Sequence, residues 1–92
     1  MPNEKTQLTV SISDDILKGT YSNNITISHT QSEFVLDCMT LFPPKGIIGA
    51  RVIVSPGHAK RLLKALQENI ARFEKAHGEI GEEAPPDQSL MH

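Results

Sequence analysis

Four stretches rich in apolar residues precede a single change of period along the chain. Leu8, Val10 and Ile12 alternate with Thr9 and Ser11, the pattern of a strand with one apolar face. Ser13-Asp14-Asp15 reads as a turn, and Gly19 suggests a bend or bulge in the ambiguous stretch from Ile16 to Ser22. Asn23-Asn24 either kinks the chain or continues into the alternation Ile25-Thr26-Ile27-Ser28-His29. Thr30 to Glu33 is polar and short enough for a hairpin loop. Phe34 to about Leu41 carries apolar residues at both parities. After a turn at Pro43-Pro44-Lys45-Gly46, Ile47 to Val54 is apolar except at Gly49 and Arg51.

The period then changes. Ser55 at an N-cap followed by Pro56 at the first helical position predicts a helix start. The helix is expected to run to about His77, with Gly78 as its left-handed stop. Ala59, Leu62, Leu63, Leu66, Ile70 and Phe73 form one apolar stripe. At 1.5 Å per residue the helix would span about 33 Å, longer than a strand of about 20 Å. The expected fold class is α+β: an antiparallel meander sheet of three or four strands, then one long C-terminal amphipathic helix packed on one face.

Register follows from the same pattern, because a slip of one residue moves every side chain to the other face. Pairing His29 with Phe34 places Ile27 opposite Leu36 and Ile25 opposite Cys38. Pairing Phe34 with Val54 places Leu36 opposite Val52, Cys38 opposite Ala50 and Asp37 opposite Arg51, which matches opposite charges across the ladder. The expected core face is Ile25, Ile27, Phe34, Leu36, Cys38, Ala50, Val52 and Val54, covered by the helix stripe. The other face would hold Val35, Met39, Leu41, Ile47 and Ile53 around Asp37 and Arg51, with Thr26 and Ser28. An apolar patch of that size marks an interface, so these residues, with Asp37 and Arg51, are the candidate contacts between copies. The rival reading is that the first strand or the tail folds over this face.

Length and composition sharpen this. The 92 residues allow one domain, with 7–80 as its body, 1–6 expected to be disordered, and 81–92 an acidic, proline-containing disordered tail. A body that small is marginal alone and is often completed by a disulfide, a metal or a partner. Cys38 is the only cysteine, and no metal-ligand spacing is present, which leaves oligomerisation. A single thiol fits a reducing cytoplasm. The opening residues hold no apolar segment of a signal peptide, and no run approaches a membrane span. A net charge of −2 gives no general pull toward nucleic acid.

Tyr21-Ser22-Asn23, the run Glu33 to Asp37, the run Arg51 to Lys60 and the stretch Leu63 to Asn69 resemble a family of small bacterial proteins catalogued as domain of unknown function 3467. The resemblance covers about Gly19 to Ile80, and the Ser-Pro-x-His-Ala-Lys helix start is its most specific part. Cys38 departs from it, standing where a large apolar or aromatic residue is expected after the Leu-Asp pair. The resemblance implies a compact cytoplasmic domain and brings no activity, cofactor or catalytic residue.

Little chemistry is visible in the residues themselves. Cys38 falls mid-strand on the expected core face, where a thiol is a small hydrophobe rather than a nucleophile. His29 lies at the rim of that face. Ser55, Gly57 and His58 put backbone N–H groups at a helix N-terminus, a candidate anion or small-ligand contact, but without a glycine-rich loop or its lysine. Lys60, Arg61 and Lys64 form a basic cluster that could touch phosphates in a dimer, with no aromatic stacking beside it. The reading is therefore a non-enzymatic homo-oligomer, a dimer in the first instance, with no cofactor and no metal. It would act as a protein-interaction module of adaptor or chaperone-like kind. A protein or peptide could add to an open edge at Leu8 to Ile12 or near Thr26 and Ser28. A nucleic-acid-binding dimer and a ligand site near His58 are the alternatives.

Overall fold

A computed structural model describes residues 7–84 and 86. The expectations for residues 1–6, and for 85 and 87–92 of the tail, lie outside that range. The elements are α1 (Asp14–Leu17), β1 (Asn24–His29), β2 (Phe34–Phe42), β3 (Lys45–Val54) and α2 (Pro56–His77). The strands form one antiparallel sheet in the order β1-β2-β3, followed by the C-terminal helix, an α+β arrangement. The expected register holds: His29 pairs with Phe34, Ile25 with Cys38, Phe34 with Val54 and Asp37 with Arg51. Thr30 closes the first hairpin, its N–H donating to the Glu33 carbonyl at 2.9 Å while its hydroxyl accepts the Ser32 and Glu33 N–H groups.

The turn of the second hairpin is tighter than expected. Pro43 and Pro44 make it alone, and β3 begins at Lys45, opposite Phe42. Past Ala50 the ladder shifts: Met39 pairs with Ile48, leaving Gly49 as an extra residue in β3. A bulge of this kind reverses the alternation beyond it. Ile48 therefore joins Val35, Met39 and Leu41, while Ile47 pairs with Thr40 and moves to the Phe34 face. The placement of Ile47 on the second face is corrected accordingly. Gly49 also sits under Thr20, whose methyl lies 3.0 Å from where a Cβ would be.

Residues before β1 depart further from the pattern. Leu8 to Ile12 is not a strand and pairs with neither outer edge of the sheet, at β1 or β3. Ser13-Asp14-Asp15 starts α1, a single turn with two carboxylates at its positive end. Gly19 follows at φ 78°, a conformation glycine adopts freely. The next residues tie down the outer end of β2. The Asn23 side-chain amide donates to the Leu41 carbonyl (3.1 Å) and accepts its N–H (2.8 Å), standing in for a neighbouring strand. The Ser22 hydroxyl donates to the Met39 carbonyl at 2.9 Å, and the Thr40 hydroxyl donates to the Tyr21 carbonyl at 3.0 Å.

Helix α2 begins and ends where the sequence places it. The Ser55 hydroxyl accepts the His58 N–H at 3.1 Å, and Pro56 occupies the first turn. Gly78 stops it at φ 96°, but with ψ 168° it is in the glycine-only extended region rather than the left-handed one. The Glu74 carboxylate then accepts the Ile80 N–H at 2.9 Å.

Closure of the core is where expectation and structure part. None of the described residues is buried, and Ile25, Val52, Leu63 and Phe73 are each about half exposed. The helix stripe faces the sheet but leaves it open. The accessible surface is 8370 Å², against roughly 5300 Å² for a folded monomer of 10.1 kDa. Subtracting the full extended-chain area of the residues outside the described range still leaves an excess of roughly 1500 Å². The radius of gyration, 17.2 Å, exceeds the roughly 12 Å of a compact chain this long.

Candidate interaction surfaces

Two apolar surfaces result, one on each side of the sheet. On the second face, Ser28, Val35 and Ile53 form one cross-strand row, Thr26, Asp37 and Arg51 the next, and Asn24, Met39 and Ile48 the third. Leu41 lies beyond them opposite Gly46. Of the expected interface residues, Val35, Asp37, Met39, Leu41, Arg51 and Ile53 share this face. Ile47 does not, and Ile48 takes its place. Gly49 inside a strand was the available signal, since an isolated strand glycine marks a bulge.

The polar row is organised by one ion pair. Arg51 Nε and Nη2 donate to the two Asp37 carboxylate oxygens at 2.6 and 2.9 Å. This two-pronged geometry fixes the planes of both groups. The Arg51 hydrogen bonds hold the Asp37 carboxyl below the ordinary carboxylate value, against a smaller opposing effect of desolvation. The pair crosses β2 and β3 within a ring of apolar side chains, where it can set register more than stability.

On the first face an open apolar cleft of about 410 Å³ separates helix from sheet. Ile25, Ile27, Phe34 and Leu36 line one wall, and Ala59, Leu62, Leu63 and Leu66 the other. Ile70 and Phe73, further along the stripe, take no part in it. His29 stacks on Phe34 at a ring-centroid distance of 5.2 Å, at the rim where parity placed it. At the other end of this face Thr40, Phe42, Lys45, Gly46 and Ile47 line a smaller hollow of about 220 Å³.

The remaining candidates do not converge. Cys38 is half-buried mid-strand between Ile25 and Ala50. The Ser55 hydroxyl already takes the His58 N–H that an anion would use, and the His58 side chain is exposed. Lys60, Arg61 and Lys64 are exposed on α2. Among the described residues, no three His, Cys, Asp or Glu side chains come together as metal ligands. Among them too, no helix is long and apolar enough to cross a membrane. Asn23 and Glu74 hold backbone groups that the sequence reading did not assign to them.

The chain matches a known family model, described as "Protein of unknown function (DUF3467)", over residues 1–82 of the 92. The chain belongs to this DUF3467 family. No curated protein and no solved structure matches it. Membership of DUF3467 therefore agrees with the resemblance carried by Glu33 to Asp37 and Arg51 to Lys60, and assigns no reaction.

Proposed function

We propose that this DUF3467 chain is a non-enzymatic protein-interaction module that completes its core by self-association, as a dimer in the first instance. One observation carries the reading: not one described residue is buried, although the strands, caps and helix are fully formed. Backbone hydrogen bonding alone leaves such a chain marginal, because burial of apolar surface is what offsets chain entropy. The excess of roughly 1500 Å² per chain is in the range that obligate homodimers bury. The second-face residues Val35, Met39, Leu41, Ile48 and Ile53, with the Asp37–Arg51 pair, offer one surface for assembly, and the cleft offers the other. An adaptor or chaperone-like role would use whichever surface the assembly leaves open, and the single thiol suits a reducing compartment such as the cytoplasm.

The test is the solution mass by light scattering across a concentration series, with thermal melts at the same concentrations. A dimer or larger assembly at micromolar concentration is expected, with a melting temperature that rises with concentration. A folded monomer with a concentration-independent melt would sink the reading.

A further inference from the structure

The cleft and the unused end of α2 are complementary. Ala59, Leu63, Leu66, Ile70, Phe73 and His77 follow one another in steps of four, three, four, three and four residues. That is the heptad spacing of a two-helix seam, sustained over the whole of α2. It is also symmetric about Glu68. Turned end for end, the seam sets Leu66 against Ile70, Leu63 against Phe73, and Ala59 against His77. The flank following the seam carries Lys60, Gln67 and Glu74. In the reversed pairing Lys60 meets Glu74, so opposite charges face each other twice, and Gln67 meets its own copy.

We propose that the occupant of the cleft is α2 of a second copy, running antiparallel to the first. This rests on the self-association argued above and names its geometry. Phe73 of the second copy falls beside Leu63, and so reaches the cleft between α2 and Ile25, Ile27, Phe34 and Leu36. The two-fold axis makes the exchange mutual: each chain fills the other's cleft with the half-helix that has no sheet of its own. The area each chain leaves open is sufficient for such a dimer.

The experiment uses the full-length chain with Cys38→Ser, carrying one new cysteine at a time and treated with a short bis-maleimide. Gln67→Cys should crosslink to a covalent dimer by itself. Lys60→Cys and Glu74→Cys should crosslink only when the two chains are refolded together. Copies of Lys60 would lie about 24 Å apart along the pair. Self-crosslinking of Lys60→Cys would mean parallel helices and would overturn the proposal. A dimer by mass with no crosslink at any of the three positions would mean the copies meet elsewhere, as through the second face. That result overturns this geometry and leaves the self-association reading intact, whereas a monomer by mass removes both. As a second readout, Lys60→Glu should weaken the dimer about tenfold, and adding Glu74→Lys should restore it. Failure of the double variant to recover would count against the pairing.

Discussion

The sheet and the helix are equally well formed and unequally supported. In the sheet, the register, the Thr30 loop and the Asn23 and Ser22 ties account for backbone groups locally, so its geometry is set without a core. Helix α2 is capped at both ends, but its stripe has only one wall of an open cleft to touch. Hydrogen bonds choose the shape of an element, and apolar burial decides whether it stays. Here the first task is done within the chain and the second is left to assembly.

Four substitutions sharpen that contrast. The largest effect is expected at Leu66, which lines the cleft and lies near the centre of the helix seam. Leu66→Ala should cost about 2–5 kcal/mol of dimer stability, read as a shift in the concentration dependence of the melt. A change no larger than that at an exposed helix position would break the link between the stripe and stability. Next is Asn23→Ala, which removes both partners of Leu41 at a half-buried site. A loss of about 1–3 kcal/mol is expected, together with faster amide hydrogen exchange at Leu41 while β1 pairing with Phe34 to Leu36 persists.

Ser55→Ala should cost about 1 kcal/mol by removing the helix cap, visible in the melt of the assembled protein. Its effect should be additive with Asn23→Ala, because the two act on separate elements. The smallest change is Asp37→Asn. The Asp37 carboxyl is held below its ordinary value of 3.8. Its contribution is therefore complete above that pH and fades as the pH falls through the lowered folded value. Asp37→Asn should lower stability slightly at neutrality, where that contribution is complete, and flatten the further loss below about pH 4. An unchanged acid limb would show that the Arg51 contacts are not kept in solution.

Much of this was legible because it depends on neighbours in sequence. Alternation fixed the pairing of Ile25, Ile27 and His29 with β2, and opposite charge fixed Asp37 against Arg51. Ser55-Pro56 and Gly78 bounded the helix, since caps are local chemistry. What escaped was set by contacts at a distance. The alternation at Leu8, Val10 and Ile12 is a genuine strand pattern, but a strand also needs a partner, and the segment pairs with neither outer edge of the sheet, at β1 or β3. The one-turn helix at Asp14 was masked by residues that suit turns equally well. Ile47 was placed by counting from Val54, and the count failed at the one residue without a side chain to report its direction. The second-face surface was otherwise assembled correctly from parity, while the openness of the cleft could not be inferred from a pattern that is the same for a covered face and a bare one.

That single unpaired glycine carries a rule for how this hairpin tolerates change in length. Lys45 to Ile48 and Arg51 to Val54 are two blocks whose orientations are offset by Gly49. Deleting it would remove the bulge and leave both blocks as they are, with Ile48 still opposite Met39 and Arg51 opposite Asp37, whereas straightening the strand around it would turn the first block over and exchange Ile47 for Ile48 on each side. Within β3, an insertion or deletion of two residues between Lys45 and Ile48 would preserve the orientation of the residues on its turn side, and one of a single residue would reverse it. The permissible lengths of the β2–β3 arm are thus counted in odd and even steps, a constraint on sequence drift that operates without any residue being chemically essential.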